Sequence, residues 1–481
     1  MGQEIQQAAF VLDDFSLFQE RLEDETRMLE DLFVARAFAD AELMCGMELE
    51  AWLVDCNYAP AACNEQFIEQ LANSLVGPEL SQFNFELNNT PLRFGKKGMA
   101  LTHMHDELQL TWQQCTNQAE SMGLHALLIG VMPTLRDQML TKDIMSASNR
   151  YHALNKQLFA MRGNTPLSFH IDEGESLHIE QADIMLEAAT TSLQVHFQVG
   201  QDMAVRTYNA SIIASAACVA AAANAPYLYG RALWEETRIP IFERAVPSGN
   251  LRDTAGQVIG RVGMGKGYAK ESLFEVFAEN LEGYPPVLPV LLDDKPKTLP
   301  HLRLHNGTIW RWNRPLVDIN AKTGKASLRI EHRTMSAGPT VVDAMANIAF
   351  YLGLTYALAT QETAPEQYLP FEAAHDNFYE AAKYGLEAHV QWIDGKAHNL
   401  QRLCCEVLLP MARSGLHKLE IAEADISRYI DQVMAPRLQQ GKTGAAWQKA
   451  YIAKHGPDFT AMTATYAQNQ KQGLPVCEWV V

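Results

Sequence analysis

The run Gly46-Met47-Glu48-Leu49-Glu50-Ala51-Trp52-Leu53-Val54 decides the fold of this chain. Side chains alternate faces along a β-strand, so Glu48 and Glu50 share one face while Met47, Leu49 and Ala51 take the other. Two carboxylates one strand period apart repel each other, and a divalent cation offsets that repulsion. A strand with one wet face is the competing reading for this pair alone, because antiparallel strands commonly alternate in this way. Further acids in the same setting change the balance.

Three more segments supply them. Phe83-Asn84-Phe85-Glu86-Leu87-Asn88 reads as a strand with Asn84, Glu86 and Asn88 on one face. Ser192-Leu193-Gln194-Val195-His196-Phe197-Gln198-Val199 places Gln194, His196 and Gln198 together, opposite Leu193, Val195, Phe197 and Val199. In Ser327-Leu328-Arg329-Ile330-Glu331-His332-Arg333, the residues Arg329, Glu331 and Arg333 share a face. Each is weak evidence alone, and an isolated His196 reads as a satisfied sheet histidine. Together they predict a sheet whose concave face carries carboxylates, a histidine and arginines. Oxygen-rich ligands with few thiolates suit Mg²⁺ or Mn²⁺ rather than zinc.

These strands, the stretch Ala222-Ala223-Asn224-Ala225-Pro226-Tyr227 running to Arg238 and Pro240, and Gly307-Thr308-Ile309-Trp310-Arg311-Trp312-Asn313-Arg314-Pro315 occur in one order. In that order they resemble the type 2 glutamate–cysteine ligase family of carboxylate–amine ligases, over roughly residues 40 to 355. Gly-x-Glu-x-Glu, a histidine in the middle strand and Glu-x-Arg in the late strand recur together in the wider glutamine synthetase superfamily. Two positions depart from the family pattern. Gln194 stands where His-x-His has its first histidine, and Thr334 follows Arg333 where an acid is usual.

The resemblance implies an α+β fold with a glutamine synthetase-like catalytic domain: a mainly antiparallel sheet with a concave ligand-lined face, helices packed outside, and a helical C-terminal region. The expected division is an N-terminal helical segment at 1–40, the catalytic sheet region at 41–338, and helices at 339–481 packed on the same unit. It also implies an ATP-dependent ligase that joins a small-molecule carboxylate to an amine through an acyl phosphate, glutamate–cysteine ligase-like in its substrates. Mg²⁺ or Mn²⁺ would be held by Glu48, Glu50, Glu86, His196 and Glu331. Arg333 would reach the γ-phosphoryl group, with Gln194 and Gln198 beside it as nucleotide contacts, and Arg333, Glu331 and Arg314 form the expected catalytic set. Arg314 and Arg238 are candidates for the acid substrate's carboxylate through bidentate pairing, and Arg150 is a further one. A surface ion pair is the competing reading for each arginine. Gln194 sustains an alternative, a non-catalytic relative that binds nucleotide or amino acid as a sensor or partner subunit. Self-association is expected from the superfamily.

The rest of the chain narrows the field. Its 481 residues carry 39 basic and 57 acidic side chains, a formal charge of −18. That disfavours nucleic acid or an anionic membrane as a bulk partner, so local arginines must meet an anionic substrate. Met1 to Gln7 is polar and acidic, which predicts no signal peptide. Ile212 to Ala223 reads as the most apolar stretch and is too short to cross a bilayer. The eight cysteines (Cys45, Cys56, Cys63, Cys115, Cys218, Cys404, Cys405 and Cys477) have no Cys-x-x-Cys pairing and read as reduced and mostly buried, in a cytoplasmic protein. His103 and His105 open a helical pattern and read as surface or helix-start residues. Gly441-Lys442-Thr443 lacks the leading glycine and preceding strand of a P-loop, and Gly263-Met264-Gly265-Lys266-Gly267 lacks dinucleotide spacing.

Periodicity predicts helices near 13–39, 64–75, 98–122, 179–190 and 203–224, and strands near 43–55, 83–88, 124–131, 192–199, 308–313 and 326–333. Ala245 to Lys270 reads as a surface loop able to fold over a site, and Tyr284 to Pro300 as a second loop. From Pro339 onward the pattern is almost wholly helical, through Val341–Thr360, Phe371–Gly385, His398–Ala412 and Glu420–Val433.

Overall fold

The alternation around Glu48 and Glu50 forms an eleven-residue strand, β1 (Met44–Val54), and every other part of the sheet is placed by it. The computed structural model describes residues 5–481 apart from 8, 40, 96–97, 172–173, 247, 253–257 and 294–295. Following β1 come β2 (Val76–Pro78), β3 (Asn84–Asn88), β4 (Leu92–Arg93), β5 (His125–Leu127), a hairpin of β6 (Leu167–Ile171) and β7 (Leu177–Gln181), β8 (Ser192–Gln198), β9 (Asn313–Ile319) and β10 (Ala326–Ser336). The main sheet has eight strands in the order β9-β10-β8-β1-β3-β2, with β4 and β5 also paired to β1. Every pairing in it is antiparallel.

One face of this sheet is core. Met47, Leu49 and Ala51 of β1, Leu193, Val195 and Phe197 of β8, and Leu328 and Ile330 of β10 are all buried. Helices α1 (Gln201–Ala221) and α2 (Val341–Ala359) lie among the elements packed around them, with Phe197 edge-on to Tyr356 at a centroid distance of 6.2 Å. Thr340 caps α2 by accepting a hydrogen bond from the Asp343 amide, which satisfies one of the otherwise orphaned N–H groups of the first turn. The helix at Val341–Ala359 is long and apolar enough to cross a membrane by length and composition, but it is buried inside the fold. One contiguous apolar core runs from Ile5 to Trp479 and includes the C-terminal helices.

Several local expectations change. Residues 179–190, a helix by periodicity, instead finish the β6–β7 hairpin and then make a single 3₁₀ turn at Glu187–Ala189. The 308–313 strand starts at Trp310 and continues, after a break, as β9. Helices at Asn149–Met161, Arg238–Ala245, Phe274–Gly283 and Pro300–Asn306 lie in stretches to which periodicity assigned no helix or strand. The Ala245–Lys270 segment contains a short hairpin, Ser248–Arg252 with Val258–Gly260; its positions 247 and 253–257 lie outside the described residues, as do 294–295 of the second loop and 1–4 of the expected leaderless start. A small hairpin, His389–Gln391 with Ala397–Asn399, interrupts the helical C-terminal region. His103 is exposed as expected, but His105 is buried beside Tyr429 because the helix turns it inward. All eight cysteines are free, and five are buried.

Candidate active site

Strand register assembles the site. Glu50 of β1 lies opposite Glu86 of β3, and Glu48 has Asn88 on one side and Gln194 of β8 on the other. His196 faces Glu331 of β10, and Glu331 faces Arg314 of β9. All of these except Asn88 line a cavity of about 430 Å³ together with Glu79, Arg150, Tyr151, Glu187, Arg329 and Arg333. That volume is within the usual range for a small-molecule site.

At its centre, ligand atoms of Glu48, His196 and Glu331 all lie within 4.8 Å of one another. His196 Nε2 is 3.1 Å from Glu48 Oε1 and 3.9 Å from Glu331 Oε1, while Arg329 Nε donates to His196 Nδ1 at 3.4 Å. Two carboxylates and an imidazole converging on one point form a donor set for a divalent cation. Arg314 grips Glu331 in a fork, Nε donating to Oε2 at 2.7 Å and Nη2 to Oε1 at 3.0 Å. Arg333 Nη1 donates to Glu331 Oε2 at 3.2 Å and to Gln194 Oε1. Gln194 then donates to Glu50 Oε1 at 2.8 Å, and Ser192 donates to Glu50 through both its backbone amide (2.6 Å) and its hydroxyl (3.0 Å).

The charges divide the bowl in two. Burial alone would raise the Glu331 carboxyl, but Arg314, Arg333 and His196 outweigh it and hold the group far below the usual carboxylate range. Burial works on Glu48 in the same direction and is likewise outweighed, here by His196, which brings it down to about 2. On the other side burial prevails. It raises Glu50 despite Arg333, and it raises Glu79 well above the usual value with help from Glu86 and Glu50. Burial with the added repulsion of Glu50 pushes Glu187 up to about 8. Carboxylates crowded in this way are stabilised by cations, so the residues fit the divalent metals expected from the sequence. Arg314 Nη1 and Arg333 Nε are buried with no hydrogen-bond partner among the described residues. Each is a donor that no described protein group takes up.

Not every expected residue meets the cavity. Gln198 sits at the rim, donating to the Glu42 carbonyl at 2.9 Å, and is outside the cavity lining. Arg238 is 2% exposed and paired with Glu236 at 3.1 Å, and its Nη2 donates to the Thr334 carbonyl at 2.5 Å. Its guanidinium is spent inside the protein, holding the end of β10, and it lines only a small recess beside Glu50 and Arg333. Arg150 does reach the cavity wall, donating to the Gly307 carbonyl at 3.4 Å. Three residues were not anticipated: Glu79, Tyr151 and Glu187. Glu79 lies in the aperiodic Gly77-Pro78-Glu79-Leu80 link, and Glu187 in a segment whose pattern mimics a long helix, so neither offered a period to read.

Against known proteins, a family model described as glutamate–cysteine ligase family 2 matches residues 44–465. No curated relative matches the chain in sequence. Among solved structures, the fold is similar to glutamate–cysteine ligase from Francisella tularensis in complex with AMP, with a TM-score of 0.53, 11% identity and 90% of each chain covered. It is also similar to a bifunctional glutathione synthetase from Pasteurella multocida, with a TM-score of 0.54, 12% identity, and coverage of 93% of this chain and 54% of that one.

Proposed function

The chain belongs to glutamate–cysteine ligase family 2, and from that premise we propose how its bowl works as an ATP-dependent carboxylate–amine ligase. The reaction passes the γ-phosphoryl group of ATP to an oxygen of the acid substrate, giving an acyl phosphate and ADP. The amine then attacks the acyl carbon, and phosphate leaves as the amide bond forms. Mg²⁺ or Mn²⁺ held by Glu48, Glu50, Glu86, His196 and Glu331 would supply charge neutralisation for the triphosphate.

The protein's own part is positioning and electrostatic stabilisation. Arg333 is held by Glu331 and Gln194, which leaves its unpartnered Nε for the transferring phosphoryl group. Arg314 keeps one free donor, Nη1, for an oxygen of the acid substrate while its other arm orients Glu331. Arg150, on the cavity wall, is the candidate for a second substrate carboxylate, and Arg238 becomes a positioning residue for β10. Gln194 ties Arg333 to Glu50, so its departure from the family histidine removes no ligand from the Glu48, His196 and Glu331 cluster. Glutamate as the acid, a self-associating assembly and a cytoplasmic setting belong to the same reading.

The observation that carries it is the convergence of Glu48, His196 and Glu331 beside two arginines with unpartnered donors. The test is ADP and phosphate release from ATP and Mg²⁺ with pooled acids, using hydroxylamine to trap the activated acid as a hydroxamate. Stimulated turnover and a hydroxamate are expected. Absence of both across broad acid pools overturns the reading.

A further inference from the structure

The helix Arg238–Ala245 meets Arg333 twice. Arg238 and Phe242 stand four residues apart and so share one helical face. Arg238 takes the main chain, its Nη1 and Nη2 donating to the Arg333 carbonyl at 3.3 and 3.4 Å. Phe242 takes the side chain: the Arg333 guanidinium lies over its ring, with Cζ 5.9 Å from the centroid. That is inside the reach of about 6 Å over which the negative face of an aromatic ring attracts a cation.

The ring itself is fixed. It is 4% exposed and packs edge-on against Trp310 at 6.3 Å and Trp312 at 5.8 Å. The next residue, Glu243, accepts a hydrogen bond from Trp312 Nε1 at 2.8 Å, and the Trp312 carbonyl in turn accepts from the Arg333 amide at 2.9 Å. Helix, tryptophan and arginine thus close a loop of contacts around this part of β10.

Arg333 needs such a support. Its side-chain hydrogen bonds, to Gln194 and Glu331, both leave from Nη1. Bonds from one nitrogen fix a point and not the plane of the guanidinium, so the group can pivot about it. Glu331, Glu50 and Glu48 all attract its charge, and each favours a different pose. A pivot would carry Nε, the donor without a protein partner, away from the phosphoryl oxygen it is to meet. A flat aromatic face restricts that tilt without taking up a donor, as a carboxylate or carbonyl would.

We infer, resting on the ligase reading, that Phe242 is a positioning residue for phosphoryl transfer: its ring sets the plane of Arg333 so that Nε faces the transferring group. Its action passes through Arg333 alone and leaves the charge there unchanged. Loss of the ring face therefore affects the rate of transfer and not the binding of ATP.

The experiment compares the intact protein with Phe242→Leu and Phe242→Met, which keep an apolar side chain but no ring, and with Phe242→Tyr, which keeps the ring. In the hydroxylamine assay, Phe242→Leu and Phe242→Met are expected to lower kcat about tenfold with the KM for ATP unchanged. That loss converts to about 1.4 kcal/mol, in the range of a desolvated cation–π pair. Phe242→Tyr is expected to restore the rate to within about twofold of wild type, since the ring face is retained. In an Arg333→Lys background, which has no plane to set, Phe242→Leu is expected to change kcat by less than about twofold, whereas a ring that only supported the fold would cost the same in both backgrounds. Crystal structures of the nucleotide-free wild type, Phe242→Leu and Phe242→Met are expected to show the Arg333 guanidinium displaced or spread over several positions in the variants, with the fork of Arg314 on Glu331 unmoved. An unmoved Arg333 in both variants, equal losses in the two backgrounds, or a loss in Phe242→Tyr as large as in Phe242→Leu overturns the proposal. Wild-type protein that forms no hydroxamate overturns the ligase reading instead, and the crystal structures then decide the placement of Arg333 on their own.

Discussion

Glu50 and Glu86 face each other directly across the antiparallel pair of β1 and β3, a like-charge pairing that destabilises a sheet. The site therefore weakens the metal-free fold at this point. Glu86→Gln is expected to raise the stability of the metal-free protein by about 0.5–1 kcal/mol, the size of a cross-strand pair term. The same change should shrink the stabilisation conferred by Mg²⁺, which for a single site is about 2.7 kcal/mol at a hundredfold excess over Kd. Thermal melts of both proteins with and without Mg²⁺ check both signs.

Arg333 shares one nitrogen between Glu331 and Gln194 and keeps another without a partner. Lysine would preserve the charge but not the planar fork. Arg333→Lys is expected to lower kcat about a hundredfold, the usual cost of losing a donor aimed at transition-state charge, with little change in the KM for ATP. Steady-state kinetics separate the two parameters, and an unchanged kcat removes Arg333 from the phosphoryl contact.

The site was legible wherever it is built from regular strands, because an alternating segment fixes which residues share a face before any partner is known. Glu48, Glu50, Glu86, Gln194, His196, Glu331 and Arg333 all follow from that one rule, and the structure brings their strands side by side. The family resemblance set their order. What stayed hidden depends on contacts rather than periods. Arg238 turns inward because Glu236 is buried two residues before it, and Gln198 reaches the rim because β8 ends there. His105 lies near the start of its helix as read, but it faces inward because the apolar stripe of that helix is wide enough to take in a histidine.

Two histidines outside the site should govern acid stability. Burial, with Arg261 in one case and Arg428 in the other, lowers His305 and His105 to about 4. The unfolded chain, whose histidines titrate near 6.5, therefore binds more protons than the native state between about pH 4 and 6.5. Stability contributed by these neutral rings is complete above about pH 6.5 and is lost as pH falls, by up to about 3 kcal/mol for each. Urea unfolding from pH 7.5 to 4.5 is expected to show this fall, and His305→Gln to reduce its slope.

Glu243 should act in the opposite sense. Burial raises it to about 7, although Tyr379 and Trp312 both donate hydrogen bonds to it. The native state then holds the extra proton between about pH 4.5 and 7, so stability falls as pH rises through that window and stays low above it. Glu243→Gln keeps an acceptor for both donors without the charge. It is expected to stabilise the protein by about 1–2 kcal/mol at pH 8 and by almost nothing at pH 4, a difference that denaturant melts at the two pH values resolve.

β1 pairs with β8 and then β5 along one edge and with β4 and then β3 along the other, so its position is dictated from both sides. A slip by a single residue would drive Glu48 and Glu50 into the oil of the core and strand Met47 and Leu49 in water. Misthreaded sheets would thus be rejected by the very acids that the chemistry requires. In this protein the reaction centre is also the proofreader of its own assembly.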